Sequence, residues 1–131
     1  MSGEIEIESA SADDLAEAGR FYLSILSAVD GVEPPADETA FLAAFQAAGP
    51  GGDSHFDLLL ARDAGNLVGL ALYDIGFDPR GPARVAKLRD IGVAADRRRQ
   101  GIGTALMKAL AGIALDRGCT RLDWHVDRLD L

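Results

Sequence analysis

The sequence predicts an α+β fold of sandwich-like build, a central and mostly antiparallel sheet flanked by helices, in the order β-α-α-β-β-β-α-β. Three observations carry that expectation. Apolar residues switch between alternate spacing and helical spacing along the chain, as strands and helices require. Two turn-forming stretches, Asp63-Ala64-Gly65-Asn66 and Asp78-Pro79-Arg80-Gly81-Pro82, separate three strand-like runs, so successive strands should pair antiparallel. A basic, glycine-containing stretch then joins the third run to a helical pattern. At 131 residues, 48% hydrophobic and 26% charged, residues 1–131 read as a single globular domain with room for a core.

Taken in order, Ile5 and Ile7 alternate with Glu4, Glu6 and Glu8, the pattern of a half-buried strand near an edge. Ser11, with Asp14 three residues on, can cap a helix whose Leu15, Ala18, Tyr22, Ile25 and Leu26 share one face and which ends at Asp30-Gly31. After Pro34-Pro35, Asp37 can cap a shorter helix through Phe41, Leu42 and Phe45. Ala48-Gly49-Pro50-Gly51-Gly52-Asp53 cannot continue it and reads as a loop. Residues 56–62 and 67–77 are the arms of a hairpin, in which Gly69 and Gly76 mark bulges or close packing. Residues 83–93 form the next strand. Ile102, Leu106, Leu110, Ile113 and Ala114 make a buried helical stripe that Gly118 terminates. Residues 120–126 are a last strand, with Leu122, Trp124 and Val126 on one side and Asp123 and His125 on the other.

Composition excludes several function classes. The net charge is −8, but residues 1–79 hold 2 basic and 15 acidic side chains whereas residues 80–131 hold 11 and 6. A nucleic acid would meet an unfavourable field over most of this chain, and Arg97-Arg98-Arg99 is too short a run to offset it. An acidic half beside a basic cradle suits a cationic acceptor and an anionic donor, or simply keeps the surface solvated. The absence of a bilayer-length apolar run points to a soluble protein with no membrane partner. Cys119 is the one cysteine, which rules out an internal disulfide and fits the cytoplasm; with only His55 and His125 besides, no metal site is expected.

The chemistry centres on Val93-Ala94-Ala95-Asp96-Arg97-Arg98-Arg99-Gln100-Gly101-Ile102-Gly103-Thr104. A strand runs into it and a helix leaves it, so backbone N–H groups of a first helical turn, with the positive end of the macrodipole, face whatever binds there. Gly101 and Gly103 lack a Cβ, and a phosphate oxygen could approach closely, with Arg98, Arg99 and the Thr104 hydroxyl beside it. The other reading is a helix start with solvated arginines. Dinucleotide and P-loop patterns do not fit, because neither the third glycine of GxGxxG nor Gly-Lys-Ser/Thr is present.

Arg98-Arg99-Gln100-Gly101-Ile102-Gly103 fits Arg/Gln-x-x-Gly-x-Gly/Ala and resembles the acetyl-CoA motif of the GNAT superfamily of N-acetyltransferases, including Val93 three residues before Asp96 and Ile102 between the glycines. The element order is similar to the GNAT fold from its start through its fifth strand. Leu88-Arg89-Asp90-Ile91-Gly92-Val93 and Arg117-Gly118-Cys119-Thr120-Arg121-Leu122-Asp123-Trp124 look most like the diamine and thialysine acetyltransferase branch. The resemblance implies acetyl-CoA as donor, a small cationic or amino-acid-like amine as acceptor, and direct transfer. It implies coenzyme binding by Ile91, Gly92, Val93, Arg98, Arg99, Gln100, Gly101, Ile102, Gly103 and Thr104. In the family a bulge opens a cleft beside this strand, and an adjacent backbone N–H polarises the thioester carbonyl. Gly92 is the expected bulge here, or else a glycine packed against a neighbour.

The proton acceptor is less directly written. Where diamine acetyltransferases carry Glu-Asp, this strand carries Arg89-Asp90, and a guanidinium takes no proton at neutral pH. Asp90 matches the second acid and acts directly or through water, or stands as a strand carboxylate paired with an arginine; Arg89 would also repel a polyamine. His125 has a suitable intrinsic pKa, but a lone strand histidine is more often structural. The family continues past the fifth strand with a helix that supplies a general-acid tyrosine and then a further strand, a position that neither Tyr22 nor Tyr73 occupies. The chain given ends at Leu131, so the expectation is either a truncated product or a homodimer in which the second copy covers the site. A catalytically weak CoA-binding or regulatory module on the same fold is the alternative function.

Overall fold

The computed structural model describes residues 4–28, 33, 35–81 and 83–124. Its elements are β1 (Ile5–Ser9), α1 (Leu15–Ser27), α2 (Glu38–Ala48), β2 (Asp57–Asp63), β3 (Asn66–Asp78), β4 (Ala83–Val93), α3 (Ile102–Asp116) and β5 (Cys119–Trp124), the predicted order. The strands form one sheet in the order β1-β2-β3-β4-β5. The first three pairings are antiparallel, and β5 lies parallel to β4, which α3 makes possible by carrying the chain back across the sheet.

Both faces of this sheet are covered. On one, Leu59, Ala61, Ala71, Tyr73, Leu88 and Ile91 pack against Ile102, Leu106 and Leu110 of α3. On the other, Leu58, Leu60 and Leu70 pack against Leu15, Ala18 and Phe45 of α1 and α2. Double coverage explains why β2 reads Leu58-Leu59-Leu60-Ala61 without alternation: each successive side chain enters a different core, and all four are buried.

The turns follow the local chemistry. Ala64 and Gly65 both have positive φ, 52° and 85°, as a two-residue hairpin turn that matches strand twist requires. The Asp14 carboxylate accepts from the Ser11 N–H at 2.9 Å, and that of Asp37 from the Ala40 N–H at 3.0 Å. Helix α1 ends at Ser27; the predicted stop at Asp30-Gly31 lies outside the described residues. The glycine-rich stretch after α2 is tied down, with the N–H groups of Asp53, Ser54 and His55 donating to the carbonyls of Ala47, Gly49 and Ala48. Gly118, at φ 74°, ends α3 as expected.

Two irregularities in the sheet bear on the site. Between β2 and β3 the register jumps from Ala61↔Gly69 to Arg62↔Leu67, beside a glycine that allows close packing: a Cβ on Gly69 would come within 2.9 Å of Ile102 Cγ2. Between β3 and β4 it jumps from Leu72↔Asp90 to Tyr73↔Leu88, leaving Arg89 as the extra residue. The bulge expected at Gly92 is therefore at Arg89. Gly92 pairs regularly with Leu70, and its missing side chain makes room for Ile25 of α1, the packing role.

Candidate active site

The turn after β4 is held at three points and open elsewhere. The Ala94 N–H donates to the Val68 carbonyl at 2.9 Å, continuing the β3 pairing one residue past the strand. Arg97, in a single 3-10 turn over Ala95–Arg97, donates from Nη1 to Asp63 Oδ2 at 2.7 Å; Asp63 is only 3% exposed. Ile102 is buried in the α3 core. Arg97 thus serves the hairpin end, and the three consecutive arginines divide into one structural residue and two others.

Those two, Arg98 and Arg99, are exposed and make no ion pair among the described residues. Arg99 sits at φ 66°, a left-handed conformation that non-glycine residues rarely adopt, and Gly101 follows at φ 83°. Gly101 is the residue before α3 and supplies no side-chain cap. The first intrahelical bond runs from the Ala105 N–H to the Gly101 carbonyl at 3.0 Å. The N–H groups of Ile102, Gly103 and Thr104 therefore lack an intrahelical acceptor. A Cβ on Gly101 would meet no protein atom within 4 Å and would project into open space at the helix end. Two unengaged guanidinium groups, free helix-start amides and a position without a side chain together fit an anion of pyrophosphate type.

The structure brings residues 98–104 to one helix end and sets Ile91, Gly92 and Val93 directly before it on β4. Their contributions differ. Ile91 and Ile102 point into the core, so only their backbone groups can reach a ligand. Strand β4 pairs with β5 from Arg84↔Cys119 to Leu88↔Trp124, and past Leu88 it has no partner on that side among the described residues.

Asp90 is half-buried on the α1 face. Its Oδ2 accepts from the Tyr22 hydroxyl at 2.5 Å and its Oδ1 from the Ile91 N–H at 2.9 Å. The bulge causes this placement, because in an unbroken ladder the residue two beyond Leu88 would face α3 with it; the extra Arg89 turns Asp90 to the opposite face, across from Leu72. Asp90 is therefore held by a tyrosine and a backbone amide rather than paired with an arginine. The neighbouring Arg89 donates from Nε to Asp74 Oδ2 at 2.5 Å, which offsets its charge beside the carboxylate. Burial, then the hydrogen bond to Asp90 and its negative charge, push the Tyr22 phenol far above its ordinary range, so it stays protonated.

Sequence reasoning missed Tyr22 and Asp63 as partners in this region. One signal for Tyr22 was available: a tyrosine within an apolar helix face must find an acceptor for its hydroxyl when that face is buried. Asp63 read only as a turn residue. His125 lies outside the described residues, and no metal-binding group of His, Cys, Asp and Glu occurs among the described ones.

The five-stranded sheet, with α3 leaving β4 through a glycine-marked turn, is the architecture of an acetyltransferase domain of GNAT type. The Acetyltransferase (GNAT) family matches residues 20–130, most of the chain, and the protein belongs to that family. Among curated relatives, the thialysine N-epsilon-acetyltransferase of Bos taurus is 37% identical over 70 residues, 50% of this chain and 41% of that protein. The match thus spans less than half the length of that relative. The ribosomal-protein-alanine N-acetyltransferase from Brucella melitensis biovar Abortus 2308 superposes with a TM-score of 0.80 at 25% identity, covering 97% of this chain and 84% of that one. An integron cassette protein from the mobile metagenome of V. cholerae reaches 0.81 at 24% identity, over 96% and 78%, and shares the fold.

Proposed function

We propose that residues 1–131 act as one domain, an acetyl-CoA-dependent N-acetyltransferase that moves an acetyl group directly to the primary amine of a small cationic or amino-acid-like acceptor. The observation that carries this reading is the open helix start at residues 98–104, continuous with an edge of β4 unpaired among the described residues and with Asp90 beside it. The pyrophosphate of the donor lies on Arg98, Arg99, Gln100, Gly101, Gly103 and Thr104, with Ile102 giving its N–H. The pantetheine arm runs along the backbone of Ile91, Gly92 and Val93, where strand groups can pair with its amides. The donor supplies a thioester, whose C–S bond breaks as the acceptor nitrogen forms its bond to the carbonyl carbon; CoA leaves as the thiolate, which takes up the proton the new amide nitrogen loses. Asp90 takes a proton from the acceptor ammonium, directly or through water, so that the attacking nitrogen has a lone pair. The relative that acts on thialysine supports an amine acceptor of this kind.

The net negative charge argues against a nucleic-acid partner, and no described helix is long and apolar enough to cross a membrane. The proposal includes a reducing, cytoplasmic setting, from the single and buried Cys119, and a homodimer, for which the exposed Phe77, Leu115 and Trp124 offer apolar surface. Light scattering of the purified protein tests the dimer. A second reading, a catalytically weak CoA-binding module, is favoured by the chain's two tyrosines: Tyr73 is buried and the Tyr22 hydroxyl is engaged by Asp90, so neither is free to protonate a leaving thiolate. Acetyl-CoA consumption with a panel of amines decides between them. Turnover that Asp90→Asn removes supports the enzyme; tight acetyl-CoA binding with no turnover on any amine supports the module.

A further inference from the structure

Tyr22 is a polar side chain for which the proposed transfer has no use, yet it makes the most direct contact with the proposed proton acceptor. Its ring packs against both Phe41 and Phe45 of α2, with centroids 6.2 Å from each. From that aromatic surface the hydroxyl reaches Asp90 Oδ2, while the Ile91 N–H holds Oδ1. Donors on both oxygens fix the rotation of the carboxylate. Because burial and the adjacent carboxylate keep the phenol protonated, it remains the donor. The pairing also depends on the bulge, since only the extra Arg89 turns Asp90 toward α1.

The other charged groups nearby are already engaged or point away. Arg89 is bound to Asp74, and Lys87, exposed, lies opposite Asp74 in the ladder. On β5, Asp123 is bound by Arg121. On α1, Glu17 is bound by Arg62 and Arg20 is exposed. Among the described residues, Tyr22 is the one side chain that bonds to Asp90.

We infer that Tyr22 is a positioning residue, which holds the Asp90 carboxylate aimed for the acceptor amine. The inference rests on the assignment of Asp90 as proton acceptor. A tyrosine that merely pinned α1 to β4 would affect folding and leave kcat of the folded enzyme unchanged. Setting kcat against the melting temperature and the acetyl-CoA affinity of the same variant separates the two roles.

Tyr22→Phe keeps the ring against Phe41 and Phe45 and removes the donor. In the folded variant kcat should then fall about three- to tenfold, because Asp90 loses the hydrogen bond that fixes its rotation. Acetyl-CoA affinity, measured by calorimetry, should not change. Tyr22→4-fluorophenylalanine, which fills the space of the hydroxyl without a donor, should lower kcat likewise, and it decides the matter alone if the Phe variant does not fold. Asp90→Asn runs in parallel. If it is inactive while both Tyr22 variants, folded, keep the wild-type kcat, the positioning role is overturned and the base assignment stands. If Asp90→Asn turns over like wild type, the base assignment falls and the role of Tyr22 falls with it.

Discussion

The helix-start turn and the Asp90 carboxylate belong to one strand-turn-helix unit, but they are organised in opposite ways. The turn presents backbone amides and unengaged arginines, and its shape comes from neighbours in sequence: positive φ at Arg99 and Gly101, then a helix. Asp90 is set by partners far away in the chain, Tyr22 being 68 residues before it, and by one extra residue in the ladder. A site built from backbone geometry can stay open and wait for its ligand. A carboxylate that must hold one orientation needs tertiary contacts, and these couple it to the packing of α1 on the sheet.

Substitutions can break this contrast, and the largest effect should come from Asp90→Asn. We expect kcat to fall on the order of 10²-fold or more, with acetyl-CoA affinity unchanged, since general-base removal typically costs 10²–10⁴. Steady-state kinetics and calorimetry on the same preparation check both halves. Gly101→Val comes next and strikes the turn. Open space around this position removes any clash in the free protein, but the backbone at φ 83° disfavours a β-branched residue, so a strain of about 1–2 kcal/mol accompanies the loss of coenzyme binding. A thermal melt beside the titration separates strain from blocked binding.

Arg97→Ala should behave unlike its neighbours and lower stability by about 1.5–3 kcal/mol, because it removes a charge-assisted hydrogen bond to the buried Asp63; denaturant melts measure this. Gly92→Ala should cost about 1–3 kcal/mol by crowding Ile25, and Ile25→Val should recover part of it. No recovery in the double variant would mean that Gly92 matters for backbone shape instead. The smallest effect belongs to Arg98→Ala with Arg99→Ala, an affinity loss of about tenfold at low salt that shrinks as salt is added, with the melting curve unmoved.

Much of this fold was legible in the chain because its signals are local. The hairpin followed from the turn at residues 63–66, the bounds of β4 from the turn stretches on either side of it, and the end of α3 from Gly118. The strand-to-helix turn was legible for the same reason, since the glycines before α3 carry their geometry with them. The bulge was misplaced because nothing in Leu88-Arg89-Asp90 distinguishes a regular strand from one with an extra residue; only pairing with Leu72 and Tyr73 shows it. A glycine drew the expectation to position 92, where the actual reason was space for Ile25. The split among Arg97, Arg98 and Arg99 was likewise invisible, because it depends on Asp63 arriving from the hairpin.

The central claim is that the turn at residues 98–104 is the coenzyme site. Its most direct test is calorimetric titration of acetyl-CoA into the wild-type protein and into Gly101→Val, each confirmed as folded by circular dichroism. Micromolar binding by the wild type that is lost in the variant is the result predicted here; equal affinity in two folded proteins, or no binding by the folded wild type, would contradict it.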